Sequence, residues 1–165
     1  MVVAIVYQTN TGSTRRYAKM LGEKTGLPVH DIKSAKKKLL KNAKIIYLGW
    51  VMANNIKGLK EAEKYFDINA VCAVGMDARE AQIKKLREKN RLPYGLPLFL
   101  LEGNFNIQKL HGIYKILMSV MISSLKKTEN RTKEDEQMLA FLLDEKDRVN
   151  EDNLEKALTW YVNLK

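Results

Sequence analysis

Apolar residues run unbroken from Val2 to Tyr7 (Val-Val-Ala-Ile-Val-Tyr), then give way to a polar stretch that ends Thr9-Asn10-Thr11-Gly12-Ser13-Thr14. A continuous β-branched run of this length predicts a strand buried on both faces. Beyond it Thr14, Tyr17, Ala18 and Leu21 fall on one helical stripe, which Gly26 and Pro28 stop. The alternation repeats along the chain. Val29–Ile32 is expected as a short strand, Lys33–Asn42 as a poorly formed basic helix and Ala43–Gly49 as a second buried strand. Trp50–Gly58 reads as a polar loop. Leu59, Ala62, Glu63 and Phe66 mark a helix, and Ala70–Gly75 is the next buried strand. Residues 78–90 read as a charged helix, Pro93, Gly95 and Pro97 as a turn, and Leu98–Leu101 as the last strand.

The remainder is helical by period. Ile107–Leu125 is apolar and basic, and Thr132-Lys133-Glu134-Asp135 has the form of a capping box ahead of Met138, Leu139 and Leu142. Leu154, Ala157, Leu158, Tyr161 and Val162 form a core-facing stripe. Strands alternating with helices imply right-handed crossovers and a parallel sheet covered on both faces. The expected fold class is therefore α/β, a doubly wound five-stranded parallel sheet of order 2-1-3-4-5 with helices on both faces, in one domain spanning 1–165. In such a sheet a ligand binds where the strand order reverses, at the carboxyl ends of the first and third strands. That rule selects three loops: Gln8–Thr14, Gly49–Gly58 and Gly75–Ala78.

Charge adds a second signal. Residues 1–128 hold 23 basic and 9 acidic side chains, and residues 129–165 hold 6 and 10, which splits the overall +10 into +14 and −4. The first part should attract anions, an anionic surface or an acidic protein. Its densest stretch, Lys33, Lys36, Lys37, Lys38, Lys41 and Lys44, has no interleaved aromatics, so nucleic acid is not the expected partner. No apolar run reaches the roughly 18 residues of a spanning helix. The N-terminal run lacks the features of a signal peptide and Cys72 is the lone cysteine, so a cytoplasmic location is expected. Cys72 is expected in the core, and His30 and His111, with no ligand partner at useful spacing, are expected to be structural.

The first loop carries the chemistry. It offers four hydroxyls, an amide and free backbone N–H groups at a helix N-terminus, an arrangement suited to an anion. The bland alternative is that one threonine simply caps the helix. Gly12 allows close backbone approach. The loop lacks the lysine of a P-loop and the three glycines of a dinucleotide fingerprint. Gln8 and Trp50 stand where a receiver domain needs acidic residues, and Cys72 is far from the nucleophile position of a cysteine phosphatase.

Thr9-Asn10-Thr11-Gly12-Ser13-Thr14 matches in full the T/S-x-T-G-x-T phosphate loop of flavodoxins, and the chain resembles that family over most of its length. Leu98 through Leu125 is similar to the same region of menaquinone-dependent protoporphyrinogen oxidases. Gly49-Trp50-Val51-Met52-Ala53, Ile56-Lys57-Gly58 and Leu110-His111-Gly112-Ile113-Tyr114-Lys115 resemble a group of bacterial flavodoxin-domain proteins. The resemblance implies a flavodoxin-like fold, FMN as cofactor and electron transfer to a redox partner protein or a quinone. It implies that Thr9, Asn10, Thr11, Gly12, Ser13 and Thr14 hold the FMN phosphate. Trp50, Val51, Met52, Ala53, Asn54 and Asn55 would line the isoalloxazine ring, and Gly75, Met76 and Asp77 would approach its pyrimidine edge. In flavodoxins a second-loop carbonyl turns toward the flavin, usually at a glycine. Here no glycine lies between Gly49 and Gly58, and Asn54 and Asn55 are the candidates for the left-handed conformation. Two other functions stand beside simple electron carriage: a protoporphyrinogen-oxidase-type flavoenzyme using a quinone, and a flavin-free basic interaction module. The segment Ile107–Lys127 has two readings as well. It is an interfacial helix giving peripheral membrane or quinone access, or the ordinary last helix that a doubly wound sheet needs; the second is favoured.

Overall fold

The computed structural model describes residues 1–76, 80–104, 109–144 and 146–164, the side chain of Phe141 aside. In chain order the elements are β1 (Ala4–Gln8), α1 (Ser13–Thr25), β2 (Val29–Asp31), α2 (Ile32–Lys38), β3 (Lys44–Met52), β4 (Asn55–Ile56) and α3 (Leu59–Tyr65). They continue with β5 (Asp67–Gly75), α4 (Ala81–Asn90), β6 (Leu98–Glu102), α5 (Ile113–Lys127), α6 (Lys133–Leu143), a 3-10 turn at Asp152–Leu154 and α7 (Glu155–Val162). Five parallel strands lie in the order β2-β1-β3-β5-β6, close to the expected five-stranded sheet but not identical with it, because β4 adds a sixth strand antiparallel to β3.

Each strand sends alternate side chains to opposite faces, and so builds two cores. Ile5, Ile46, Leu48, Cys72, Val74 and Leu101 pack with Tyr17, Ala18 and Leu21 of α1 and with Leu154, Ala157 and Tyr161 of the C-terminal turn and α7. Val6, Ile45, Tyr47, Val71 and Leu98 pack with Ile32 and Ala35 of α2, Leu59 and Ala62 of α3, and Leu86 of α4. Cys72 is fully buried, and desolvation pushes its thiol up to about 12, which makes it inert. Registers align the carboxyl ends: Gln8 opposes Gly49, Trp50 opposes Val74, and Gly75 opposes Glu102. The loops after β1, β3 and β5 therefore leave the sheet along one rim.

Three expectations change. The Trp50–Gly58 loop is a β-hairpin: β3 runs on to Met52, and Ala53 (φ 48°) and Asn54 (φ 59°) make the two-residue turn to β4. Asn55, expected to be left-handed, is instead extended in β4 and pairs with Met52. The hairpin was hidden because its turn is Ala-Asn rather than a glycine-bearing pair. A tertiary clamp holds it: the buried Asn90 amide accepts from Ile56 N–H (2.9 Å) and donates to the carbonyls of Asn54 and Leu86 (2.8 Å each).

The basic stretch after β2 is a well-formed helix over Ile32–Lys38, because the Asp31 carboxylate accepts from Lys33 N–H and Ser34 N–H and caps it. Last, α5 does not cover the sheet. Its principal packing partner is α6, and the place beside α1 goes to α7. The α5–α6 pair is thus a helical hairpin inserted between the last strand and the helix that closes the fold. Its capping box forms as the sequence indicates. Thr132 Oγ1 accepts from Asp135 N–H, and the Asp135 carboxylate accepts from Thr132 N–H.

Candidate functional site

The rim of the sheet opens beside the N-terminus of α1. Gly12 is the N-cap residue, with φ 107°, and no side chain caps the helix, so the single-threonine cap is not what the loop is for. Thr9 turns inward, its Oγ1 accepting from Gly12 N–H (3.1 Å). Asn10 Oδ1 accepts from His111 N–H (3.2 Å), which ties the loop to the residue just before α5. Ser13 Oγ accepts from Asn104 N–H (3.1 Å) and keeps its own O–H to donate. Thr14 is 1% exposed and faces the core.

Thr11, Gly12 and Ser13 are then the loop residues that open into a cavity of about 340 Å³. Its other walls are Arg15, Arg16, Asn104, Lys109, Asp144, Lys146 and Asp147. Four basic side chains against two carboxylates make this an anion-attracting space. The cavity lies between the start of α1 and the two stems of the α5–α6 insertion, Lys109 before it and Asp144–Asp147 after it.

A polar knot fixes the second stem. Arg16 grips Asp147 with two 2.9 Å hydrogen bonds, Asn104 Nδ2 donates to the same carboxylate (2.8 Å), and Asn104 Oδ1 accepts from Arg148 N–H (2.7 Å). The Arg16 guanidinium, then the Asn104 amide and Val149 N–H, hold the Asp147 carboxyl well below the usual carboxylate range. Both ion-pair partners are about half exposed, so solvent screens much of this interaction. Nearby, Tyr17 Oη donates to the Glu102 carbonyl and accepts from Asn153 Nδ2 (2.6 Å), which locks α1, β6 and the return chain together.

A lowered native carboxyl contributes stability that is complete above the unfolded value of 3.8 and is lost as pH falls through the native value. Urea midpoints of the wild type and Asp147→Asn should therefore differ by a constant amount from neutrality down to about pH 4, and converge below it. A gap that stays the same at every pH would remove this role from Asp147.

The second and third loops meet beside this cavity rather than within it. A Cβ on Gly75 would sit 3.3 Å from the Val51 Cβ, so the ends of β3 and β5 touch. Gly103 joins them to the first loop: its N–H donates to Gly75 O (2.8 Å), and a Cβ there would lie 3.6 Å from Ser13 Cβ. Trp50 is half-buried and meets Tyr114 of α5 edge to face (centroids 4.9 Å apart), with the Lys57 ammonium 5.9 Å from the Trp50 ring and 5.2 Å from the Tyr114 ring. Trp50 is therefore neither a core residue nor a bare stacking platform; it is half of an aromatic wall. Met52, Ala53, Asn54 and Asn55 extend that wall outward along the hairpin. Met76 follows Gly75 on the rim, and Asp77 lies outside the described residues.

The sequence reading did not find Tyr114, Asn104, Asn90 or the charged cavity wall of Arg15, Arg16, Lys109 and Lys146. Tyr114, Asn104, Asn90 and Arg16 act through contacts with residues far away in the chain, and Lys109 and Lys146 meet the first loop only across the folded cavity. Among the described residues no group of three or more His, Cys, Asp and Glu side chains could hold a metal ion, and no helix is long and apolar enough to cross a membrane. No family model matches the chain, and no curated protein or solved structure matches it either.

Proposed function

We propose that this is an FMN-binding, flavodoxin-like protein that transfers electrons through the flavin. The observation that carries the reading is the hydroxyl-rich loop with a left-handed glycine, opening an uncapped helix at the carboxyl edge of a doubly wound sheet. The residues present suit the phosphate end of FMN. Thr11, Gly12 and Ser13 face an open, net-positive cavity, and a Cβ on Gly12 would have no atom of the described residues within 4 Å beyond its chain neighbours. They also suit an aromatic ring system beside it, with the Trp50–Tyr114 wall on one side and the Val51–Gly75 contact at the base.

In this reading the flavin supplies reversible electron uptake, and the chain supplies binding, orientation and electrostatics. Thr11 and Ser13 would donate hydroxyl hydrogen bonds to the phosphate oxygens, and the first-turn N–H groups of α1 would point the helix dipole at the same charge. Arg15, Arg16, Lys109 and Lys146 add long-range attraction. Trp50 and Tyr114 would exclude water from one side of the ring, and the Gly75–Met76 backbone would hold its polar edge. Lys57, over the Trp50 and Tyr114 rings, would favour negative charge there.

Calorimetry with FMN and riboflavin tests the phosphate site. FMN should bind at least about 100-fold more tightly, since charge-assisted hydrogen bonds contribute about 1.5–3 kcal/mol each. Equal affinities would remove the phosphate argument, and no binding of either would leave the basic interaction module as the better reading.

A further inference from the structure

Helix α5 is apolar on two sides, and the fold uses one of them. Tyr114, Met118, Ile122 and Leu125 are buried or half-buried, at the spacing of an inward stripe. Ile113, Ile116, Leu117, Val120 and Met121 form a second stripe at i, i+3, i+4, i+7 and i+8, and are 65%, 65%, 51%, 64% and 36% exposed. Nothing within the described chain covers that outer stripe. Five neighbouring aliphatic side chains in water over about 12 Å of helix is a patch that calls for an occupant.

The charges around the stripe choose the occupant. Ile113–Lys127 contains no acidic residue, and Lys109, Lys115, Lys126 and Lys127 are exposed before, along and after it. Glu129, Asp135 and Glu136 lie near the Lys126–Lys127 end, with Arg131 among them. We propose that the outer face of α5 docks on an anionic lipid surface, lying in the interface with its aliphatic side chains in the acyl boundary and its lysines among the headgroups. A second copy fits less well, because a two-fold contact sets this face against itself and buries Lys127, which stands seven residues after Val120 on the same side of the helix. An acidic protein partner would satisfy the lysines. The stripe, however, is wholly Ile, Leu, Val and Met, without the exposed aromatic or arginine anchors on which protein interfaces concentrate their energy. The helix lies on the membrane; none of the described helices can span one. The inference does not depend on the flavin, although Tyr114 at the start of α5 also forms the aromatic wall. A bound surface would therefore come to rest beside the candidate site.

The test is co-sedimentation of the full chain with vesicles of phosphatidylcholine alone or mixed with phosphatidylglycerol, with size-exclusion chromatography over a range of protein concentrations. The protein should bind the anionic vesicles and not the neutral ones, with affinity that falls as salt rises. Ile116→Ser with Val120→Ser should weaken binding about tenfold or more, and Lys126→Gln with Lys127→Gln should weaken it about fivefold. Both pairs are exposed and outside the candidate site, so the circular dichroism spectrum, urea midpoint and FMN titration should match the wild type. Equal binding to neutral vesicles, no binding to anionic ones, or binding that ignores the stripe substitutions would each overturn the proposal. A dimer broken by the stripe substitutions, without vesicle binding, would assign the face to a second copy instead. A failed FMN titration with intact vesicle binding would count against the flavin reading alone.

Discussion

Gly58→Ala should destabilise the protein by about 3–5 kcal/mol. Gly58 caps α3 with φ 77°, and a Cβ there would sit 2.2 Å from the Tyr47 hydroxyl, as well as 1.9 Å from Gln8 Oε1. The glutamine amide can swing aside. The tyrosine cannot, because its ring is fully buried in the sheet core and its hydroxyl donates to the Lys57 carbonyl (2.7 Å). Accommodating the methyl means shifting that ring or losing that hydrogen bond, on top of about 1 kcal/mol for alanine in a left-handed conformation. Gly26→Ala separates the two causes. Gly26 has nearly the same φ, 75°, with no atom within 4 Å of its missing side chain, so it should lose only the conformational part. Urea denaturation of both variants is the measurement. Equal losses would mean that the contact with Tyr47 is unimportant.

Gly12→Val should act in the opposite sense, on the ligand more than on the fold. At φ 107° a β-branched residue is strained by about 1–3 kcal/mol, yet its Cβ would have no atom of the described residues within 4 Å beyond its chain neighbours. The space it enters is the cavity between Thr11, Ser13 and the basic walls. A modest fall in urea midpoint is therefore expected together with a loss of FMN affinity of about 100-fold or more, since both the loop shape and the room for a phosphate are removed. Riboflavin, which has no phosphate to place there, should lose less. Unchanged FMN affinity in a folded Gly12→Val protein would move the phosphate away from this loop.

The two glycines show why some parts of the site are legible in a sequence and others are not. Gly12 sits in a local pattern in which strand, hydroxyls, glycine and helix follow one another within a few residues, so its role can be read along the chain. Gly58 matters because of Gln8 and Tyr47, which reach it from two different strands. Nothing near Gly58 in sequence signals that contact. The hairpin is the same kind of case. Val51 and Met52 continue the strand, but what holds the Ala53–Asn54 turn is Asn90, more than thirty residues on. A mid-chain asparagine at the end of a charged helix carries no local sign of such a task.

The sequence by itself determined the five parallel strands, the helical stripes and the polar loop after the first strand, because period and β-branched content are local properties that burial on a two-sided sheet demands. Only the tertiary structure decided which of the late helices closes the fold. By hydrophobicity α5 has the stronger claim. However, α7 brings a small Ala157 between Leu154 and Tyr161 against α1, and the knot of Arg16, Asn104, Asp147 and Asn153 fixes the chain that leads into it. That choice leaves the outer stripe of α5 in water. It also sets Lys109, Asp144, Lys146 and Asp147 around the first loop, so the walls that face Arg15 and Arg16 come from residues more than ninety positions from Gly12. Contacts over such separations depend on the closure of the whole sheet, and no window of the sequence contains them.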